Sequence, residues 1–490
     1  MIDHIAVDIG ASSGRLVLGK LEEGRLSLEE IHRFQNGFME RNGSFFWDID
    51  YLFEQIIVGL QKAKLNGIRK CTLGIDTWAV DYVLLDANGN RIQEVYSYRD
   101  PRTENITEII NTLIPPTEIY AKTGIQQLPL NTLNQLYAHN PEELAEADQI
   151  LLVPDYLYYR LSGRKMNEVT NASTTQLLNV HTREFDHNLL KLLQLKREQF
   201  AGLTEPGEVL GFVSEDLVRE HNLPECLLIC VATHDTASAV LGVPYQSDRN
   251  AAYISSGTWS LLGVELEHPI NNQAAMLANY TNEWGAFGTY RFLKNIMGLW
   301  LIQEVRRQTD GSYSFAELVE LAANAEGFRS LIPCNDPRFL NPHNMVDEIR
   351  RACSDSGQPV PHSIGELSRA IFDSLALSYR SYLEELENIS GSTIEVVQIV
   401  GGGANNELLC QLTADVTGKE VQAGPTEATA IGNLAVQLIR ARDIPSVHDV
   451  RKIITNSFDI KTYKPRAIDG LEQIIHRWNN IQEPKPLANS

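Results

Sequence analysis

Apolar and polar residues alternate along the first part of the chain in the way typical of antiparallel strands. The stretch IAVDIGASSGRLVLGKL, from residue 5 to residue 21, is an apolar segment, a turn rich in glycine and serine, and a second segment with Leu16 and Leu18 on one face. After a further turn, RLSLEEIHRF alternates again through Leu26 and Leu28. The pattern predicts an opening β-meander in which the glycine- and serine-rich segment is a hairpin turn.

The spacing of apolar residues along the next segment is that of a helix. In WDIDYLFEQIIVGLQKAKLNG, Leu52, Ile56 and Leu60 form one apolar stripe, Asp50 is the predicted N-cap, and Gly67 is predicted to end the helix. The segment CTLGIDTWAVDYVLLD predicts two strands with a break between them, and ILLVPDYLYYRLSG and CLLICVATHDTASAVLGV predict strand-to-helix transitions. Strands that alternate with helices predict an α/β fold.

The opening pattern recurs near the middle of the chain. AAYISSGTWSLLGVEL repeats the order of apolar strand, Ser-Ser-Gly turn and apolar strand, and its turn begins at Ser255, about half the chain length after the turn that begins at Ser12. Such repetition predicts two domains of the same topology that face each other, although chance similarity between two hairpins is an alternative. Because 490 residues exceed one ordinary core, we place the domains at 1–243 and 244–490.

A third glycine loop follows a late apolar strand, in VVQIVGGGANNELLCQLTADVTGKEV. Three consecutive glycines cost backbone entropy, which a chain tolerates where another group lies against the backbone. A flexible surface loop is the alternative. The position between an apolar strand and an amphipathic helix that begins near Asn406 favours the first interpretation.

Composition and charge narrow the class of protein. The net charge of -21 argues against nucleic acid and anionic membranes as partners, because both select basic surfaces. No long apolar run or signal-peptide core is present, so we expect a cytoplasmic protein. The cysteines lack the close pairs of a zinc site and are expected to be free thiols. Two of them, Cys226 and Cys230, are expected to be buried in an apolar strand. The six cysteines are Cys71, Cys226, Cys230, Cys334, Cys353 and Cys410.

The residues alone point to phosphate chemistry. Glycine-rich turns let backbone N–H groups approach a phosphate, although the first turn matches neither the Walker loop nor the dinucleotide fingerprint. Asp235 follows an apolar strand and precedes a helix start of small residues, which suits a carboxylate aimed into a cleft; a helix N-cap is the alternative. Asp76 and Asp81 could form a glycosidase-like pair, which we discount because no second acid signature accompanies them, although Asp76 could support a sugar pocket.

Eleven segments in chain order resemble those of the FGGY carbohydrate kinases, within the superfamily of actin, hexokinase and Hsp70. They are VDIGASSGR, EIHRF, GIDTWAVD, YRDPRT, VPDYLYYRLSG, THDTASAV, AAYISSGTWSL, LKNIMGLWLIQ, IFDSLALSY, IVGGGANNELL and GPTEATAIGN. The resemblance implies two α/β domains of ribonuclease-H-like topology facing a deep cleft. The sugar is then expected on the N-terminal side and ATP on the C-terminal side.

The resemblance also implies roles for individual residues. Asp235 is expected to be the catalytic base. The expected sugar contacts are Ala79, His234, Asp235, Thr236 and Asn295. Ala79 departs from the glycine common at this position in similar sequences, and its methyl group could trim the sugar pocket.

The nucleotide side follows from the same resemblance. The first hairpin is expected to hold the β- and γ-phosphates of ATP, with Gly14 allowing close backbone approach, through Ala11, Ser12, Ser13, Gly14 and Arg15. Asp8 is the expected anchor for Mg2+, directly or through water. Thr258 and Gln303 are expected nucleotide contacts, and Gly402 is expected to lie against the adenosine. Arg15 could instead be a solvated strand arginine, and Arg99 is equally well a polar cleft residue or a surface arginine.

The resemblance therefore implies ATP-dependent phosphorylation of a ketose, L-rhamnulose, at its O1 hydroxyl. L-Fuculose is the alternative substrate, and a non-catalytic ATPase switch of the actin or Hsp70 type is the alternative function. The expected partners are the sugar and ATP, with no nucleic acid and no membrane. The protein is expected to be a monomer or a weak homo-oligomer.

Overall fold

The structure is a computed structural model that describes residues 2–245, 249–309 and 311–482. The strands of these residues, in chain order, are β1 (Asp3–Ile9), β2 (Ser13–Glu22), β3 (Arg25–Gln35), β4 (Phe38–Arg41), β5 (Ser44–Trp47), β6 (Lys70–Thr77), β7 (Tyr82–Leu85), β8 (Val95–Tyr96), β9 (Gln149–Leu152), β10 (Asn167–Glu168), β11 (Leu178–Asn179), β12 (Glu184–Phe185), β13 (Leu203–Thr204), β14 (Val209–Phe212), β15 (Glu225–Ile229), β16 (Ala251–Ser256), β17 (Trp259–Leu266), β18 (Thr281–Trp284), β19 (Tyr290–Met297), β20 (Val396–Val400), β21 (Glu420–Ala423) and β22 (Lys461–Tyr463).

The α-helices of the same residues are α1 (Ile49–Leu65), α2 (Ile106–Leu113), α3 (Pro116–Thr123), α4 (Thr132–Tyr137), α5 (Pro141–Glu146), α6 (Val153–Ser162), α7 (Val169–Ala172), α8 (His187–Leu192), α9 (Glu215–His221), α10 (Asp235–Leu241), α11 (Gln273–Leu277), α12 (Trp300–Gln308), α13 (Phe315–Ala323), α14 (Met345–Asp355), α15 (Ile364–Ser390), α16 (Glu407–Thr417), α17 (Ala428–Ala441), α18 (Val447–Ser457) and α19 (Leu471–Gln482). None of these described helices has the length and apolar character that a membrane span requires.

The chain forms two compact units. Unit 1 is assembled from Met1–Pro244, Glu265–Leu293 and Glu427–Phe458. Its main sheet has the strand order β14, β15, β6, β1, β2, β3. Strand β1 pairs antiparallel with β2 and parallel with β6, and β6 pairs parallel with β15. Apolar residues of β1 and β6 are buried, together with the apolar stripe of α1, in the largest core of this unit.

Unit 2 is assembled from Tyr245–Val264, Lys294–Thr426 and Asp459–Ser490. The sheet that runs through it has the strand order β18, β19, β17, β16, β20, β21, β22. Strand β16 pairs antiparallel with β17 and parallel with β20, and β20 pairs parallel with β21. Strand β19 begins in unit 1, where it pairs with β18, and runs into unit 2.

The repeat predicted from the two Ser-Ser-Gly turns is a repeat of topology. In unit 1 the order β3, β2, β1, β6, β15 corresponds strand for strand to β19, β17, β16, β20, β21 in unit 2. Each order places an antiparallel hairpin, β1–β2 or β16–β17, beside parallel strands, which is the ribonuclease-H-like arrangement that the resemblance implied. The prediction of an α/β fold is confirmed, and the boundary between residues 243 and 244 stays a prediction.

Most local predictions agree with the structure, and one is wrong. The opening hairpin, the break after β6 and both strand-to-helix transitions are present. The N-cap of α1 is Asp48, whose side chain accepts a hydrogen bond from Tyr51 N at 3.0 Å, and Asp50 lies in the first turn instead. There Asp50 forms ion pairs with Arg91 and Arg160, which lie far from it in sequence.

The prediction of free, buried cysteines is confirmed. All six are reduced and buried. Cys71 and Cys226 face each other across the parallel strands β6 and β15, with their Sγ atoms 3.2 Å apart.

Candidate active site

The carboxyl ends of neighbouring parallel strands bring the candidate residues of unit 1 to one edge of its sheet. Asp8 on β1 pairs in register with Asp76 on β6, and Arg15 on β2 pairs with Asp8 from the other side. One residue further, Thr77 forms a parallel bridge with His234, and Thr77 N donates to Thr233 O at 2.8 Å. Ligands in open α/β sheets bind at such strand ends, so the edge is the candidate site of this unit.

The first glycine turn has a defined backbone. Gly10 N donates to Ser13 O at 2.9 Å, and Asn36 N donates to Ser12 O at 3.0 Å. The Asn36 side-chain amide also donates to Gly10 O at 2.8 Å. These bonds occupy carbonyl oxygens of the turn with partners from unit 1 itself. The turn is therefore held in one conformation by contacts within unit 1.

Gly14 has a packing reason of its own. It pairs with Phe34 across β2 and β3, and a Cβ atom at Gly14 would lie 2.2 Å from the Phe34 ring. The ring thus fills the space that a side chain at position 14 would need. The role of Gly14 in close approach to ATP stays a prediction.

Arg15 is not a solvated strand arginine. Its side chain is 17% exposed, and Nε and Nη2 donate to Asp8 Oδ2 at 3.1 and 2.8 Å. Nη1 forms an ion pair with Glu427. Burial alone would lower the pKa of Arg15, but Asp8 and Glu427 raise it. Arg15 therefore presents a fixed positive charge beside the turn.

Asp235 is the first residue of α10, and His234, not Asp235, is the N-cap. The Asp235 side chain is 31% exposed, and Thr236 Oγ1 donates to its Oδ1 at 3.1 Å. Burial of the carboxyl raises the pKa of Asp235, with a smaller contribution in the same direction from Asp8. A raised carboxyl pKa at a strand edge is typical of a proton acceptor.

His234 is surrounded by charged groups. Its Nε2 lies 3.4 Å from Asp235 Oδ1. On the other side of the ring, Nδ1 lies 3.0 Å from Arg291 Nη2 and 3.3 Å from Glu283 Oε2. Arg291 and Glu283 belong to the β18–β19 hairpin of unit 1 and form an ion pair at 3.0 Å. Neither residue was predicted from the sequence to belong to the site, although both are charged residues within apolar strand segments.

Asp76 is fully buried beside these groups. Asn433 Nδ2 on α17 donates to Asp76 Oδ2 at 2.6 Å, whereas Asp76 Oδ1 has no hydrogen-bond partner. Burial, followed by the charge of Asp8, raises the pKa of Asp76 well above its ordinary value. Asn433 continues into a hydrogen-bonded chain through Gln437, whose amide also donates to Ile5 O at 2.9 Å. Asp76 is thus tied to the C-terminal segment of unit 1.

Ala79 lies in the turn after β6. Its neighbour Val80 has a φ of 69°, in the left-handed region that a β-branched residue rarely occupies. Thr132 Oγ1 donates to Val80 O at 2.6 Å and so fixes this conformation from α4. The structure therefore holds the backbone of Val80, next to Ala79, in one strained arrangement, a feature typical of binding sites.

Asp81 follows this turn and is occupied by structural hydrogen bonds. The indole N–H groups of Trp47 and Trp78 donate to its Oδ2 at 2.6 and 2.9 Å. Tyr98 N donates to the same oxygen at 3.1 Å, and Gln135 Nε2 donates to Oδ1 at 2.8 Å. A glycosidase-like partnership with Asp76 has no support, because these four donors hold the carboxylate away from solvent.

Arg99 is buried, with 6% of its surface exposed, and its guanidinium lies 5.3 Å from the centre of the Tyr98 ring. The interpretation as a surface-loop arginine is therefore wrong. Its role at the site stays a prediction.

Unit 2 brings its own candidate residues together. Thr258 follows the second Ser-Ser-Gly turn, and its Oγ1 donates to Gln303 Oε1 on α12 at 3.3 Å. The triple-glycine loop packs on the same turn, since a Cβ atom at Gly403 would lie 2.0 Å from Ser256 Oγ. Gly402 has open space where a side chain would be. Asn295, half-buried on β19, belongs to this unit as well.

The donor chemistry fits the cation that the sequence analysis expected. Among residues 2–245, 249–309 and 311–482, no group of three or more His, Cys, Asp or Glu side chains could hold a metal ion. Mg2+ seldom needs three protein side chains, because one or two carboxylates, waters and the substrate phosphates usually complete its coordination. Asp8 would supply one oxygen ligand of this kind beside the first turn.

Comparison with known proteins places the chain in a family. Residues 4–242 match the model described as "FGGY family of carbohydrate kinases, N-terminal domain". Residues 252–441 match the model of the C-terminal domain of the same family.

The chain is also similar to individual proteins along nearly its whole length. Rhamnulokinase of Bacillus subtilis (strain 168) is 50% identical over 466 residues, which cover 95% of this chain and 96% of that protein. Rhamnulokinase of Ligilactobacillus salivarius (strain UCC118) is 50% identical over 462 residues, with coverage of 94% and 95%. Rhamnulokinase of Bacteroides thetaiotaomicron is 45% identical over 481 residues, with coverage of 98% and 99%.

Solved structures agree on the fold. A ligand-bound xylulose kinase from Lactobacillus acidophilus superposes with a TM-score of 0.77 at 14% identity, covering 98% of this chain and 96% of that one. Glycerol kinase from Plasmodium falciparum with ADP gives a TM-score of 0.77 at 15% identity, covering 98% and 97%. The chain belongs to the FGGY family of carbohydrate kinases, enzymes that transfer a phosphoryl group to an alcohol.

Proposed function

We propose that this protein is a rhamnulokinase, which transfers the γ-phosphoryl group of ATP to O1 of L-rhamnulose and releases L-rhamnulose 1-phosphate and ADP. The observation that carries the proposal is the identity of 45–50% to proteins named rhamnulokinase over 94–98% of the chain. The reaction would serve L-rhamnose catabolism. ATP as the phosphoryl donor supports the cytoplasmic location expected from the sequence.

Asp235 is the proposed base that accepts the proton of the O1 hydroxyl. Its raised pKa brings the carboxylate closer to the proton affinity that a base needs near neutral pH. His234, Thr236 and the backbone at Ala79 are the proposed sugar contacts at the same sheet edge, and Asn295 is a proposed contact from the other unit.

The proposed nucleotide contacts are the turn Ala11–Gly14, Arg15, Thr258, Gln303 and Gly402. Arg15 would place its charge near the transferred phosphoryl group, where negative charge spreads in the transition state. Mg2+ held by Asp8, directly or through water, would neutralise phosphate charge. The deep cleft, the boundary at residue 243 and a monomeric or weakly associated state stay proposals.

A panel of ketoses tests the substrate, with ADP release measured by a coupled assay. We expect the highest kcat/KM with L-rhamnulose. A preference for L-fuculose would replace the proposed substrate with the alternative one and leave the class of reaction intact.

Asp235→Asn tests the chemistry. We expect kcat to fall by about 10³ while ADP binding, measured by calorimetry, stays within a factor of about 3, because the amide cannot accept the proton. Asp216→Asn is the control, since Asp216 lies on α9 with 86% of its side chain exposed. An undiminished kcat in Asp235→Asn would refute the assignment of the base. Nucleotide hydrolysis without phosphorylation of any sugar would favour the ATPase switch.

A further inference from the structure

The β18–β19 hairpin places a buried ion pair against the ring of His234. Arg291 is 0% exposed, and its Nε also donates to Trp284 O at 3.3 Å, which fixes the guanidinium within unit 1. Glu283 is buried with it; burial alone would raise the pKa of Glu283, but the positive charge of Arg291 lowers it. The hairpin therefore offers His234 both a hydrogen-bond donor and an acceptor.

Arg291 and Glu283 require different protonation of His234 Nδ1. An arginine can only donate, so the 3.0 Å bond from Arg291 Nη2 requires a lone pair on Nδ1. Glu283 Oε2, at 3.3 Å, would require a proton there. Arg291 Nη2 is the nearer of the two groups, and a proton on Nδ1 would set two donors, Nδ1–H and Nη2–H, against each other across 3.0 Å.

We propose that Arg291 is a positioning residue that holds the neutral His234 ring with its proton on Nε2. The Nε2–H group then points to Asp235 Oδ1, 3.4 Å away. Thr236 Oγ1 donates to the same oxygen. Both groups face Oδ1, Thr236 through a hydrogen bond and His234 through a close electrostatic contact, and they leave Oδ2 as the oxygen that takes the hydroxyl proton. The catalytic consequence rests on the proposed function, whereas the position of the proton does not.

Replacement of Arg291 is expected to remove the His234 tautomer that carries its proton on Nε2. In Arg291→Met, Glu283 is the remaining group at Nδ1, and it draws the ring proton to that atom. The ring then no longer presents the neutral Nε2–H tautomer to Asp235. In the double variant Glu283→Gln/Arg291→Met, the new amide can donate to Nδ1 from the position of Glu283 and restores the proton on Nε2. The double variant also removes both buried charges, so it does not leave an unpaired one.

Nitrogen-15 NMR of histidine-labelled protein, without sugar or nucleotide, measures the tautomer directly. A spectrum of His234→Gln identifies the His234 signals. We expect Nε2–H in the native protein, loss of that tautomer in Arg291→Met, and its return in the double variant. A native ring protonated on Nδ1, or an unchanged tautomer in Arg291→Met, would overturn the proposal.

Kinetics add the functional readout. We expect kcat of Arg291→Met to be about 10- to 100-fold lower than that of the native protein. In the double variant we expect at least half of that loss, on a logarithmic scale, to be recovered. Arg183→Met is the matched control: Arg183 packs on the Trp284 ring at 4.1 Å and pairs with Glu205 instead of Glu283. Failure of the sugar panel with the expected NMR result would refute the proposed function and retain the tautomer assignment. The expected kinetics without the NMR change would refute the assignment.

Discussion

At the scale of single residues, the carboxylates of unit 1 have separate tasks that their sequence positions do not reveal. Asp235 is partly exposed and accepts few hydrogen bonds, whereas Asp81 is buried and accepts four. The difference lies in the number of donors around each carboxylate. Asp81 joins two indoles and the backbone of the segment after β8, and it stabilises the neighbourhood of the Ala79 turn.

The titration of Asp81 gives a prediction for stability. Burial raises the pKa of Asp81 from 3.8 to about 6. Between these values the folded state binds a proton that the unfolded state lacks, so the stabilising contribution is complete below pH 3.8 and is lost as the pH rises through 6. Between pH 5 and pH 7.5 the loss is about 1 kcal/mol.

Asp81→Asn has no such titration. We expect it to be less stable than the native protein at both pH values, because an amide cannot accept from all four donors. The difference in Tm between the two proteins is expected to be about 2 °C larger at pH 5 than at pH 7.5. Thermal unfolding followed by circular dichroism measures it, with Asp216→Asn as a control whose difference stays constant. A difference that grows toward pH 7.5 would contradict the pKa direction.

At the scale of elements, the first hairpin combines a functional turn with a packing constraint. A methyl group at Gly14 would displace the Phe34 ring and disturb the pairing of β2 with β3. We expect Gly14→Ala to lower the stability by about 1–3 kcal/mol, the usual cost of overpacking. In Gly14→Ala/Phe34→Leu, the smaller side chain makes room for the methyl group and is expected to recover most of the Tm.

ADP affinity of the same two variants separates packing from ligand approach. If Gly14 serves only Phe34, the double variant regains affinity together with stability. If the nucleotide must approach the backbone at Gly14, calorimetry will find weak ADP binding in both variants, although the double variant is stable. Our expectation is the second result, because the turn is proposed to hold the phosphates.

The elements themselves were largely predictable, and their long-range partners were not. Alternating apolar residues and glycine-rich turns determine the hairpins at β1–β2 and β16–β17, because both signals are local. The N-cap at Asp48 escaped prediction, since Asp48 and Asp50 are equivalent locally and the distant Arg91 and Arg160 engage the second one. The participation of Glu283 and Arg291 in the candidate site was also not predicted, because their partner His234 lies far away in sequence.

At the scale of the whole molecule, unit 1 depends on a C-terminal segment. Helix α17 packs closely on α10, since a Cβ atom at Gly432 would lie 1.7 Å from Ser238 O and one at Gly242 would lie 2.3 Å from Ala428 O. The same segment contributes Asn433 to Asp76 and Glu427 to Arg15. Hence residues 1–243 lack part of their own core and of the candidate site.

This dependence predicts the behaviour of fragments. Residues 1–243 expressed alone are expected to aggregate or to remain partly unfolded, because the face of α10 that packs on α17 and the buried Asp76 lose their partners. Co-expression with residues 244–490 is expected to restore a folded complex, which size-exclusion chromatography and near-ultraviolet circular dichroism measure. Gly432→Val in the second fragment is the matched control, since its side chain blocks the close approach to Ser238 and should prevent complementation. A fragment 1–243 that unfolds cooperatively with native near-ultraviolet signals would show that α17 is dispensable, and the tie between Asp76 and Asn433 would then have to serve the site alone.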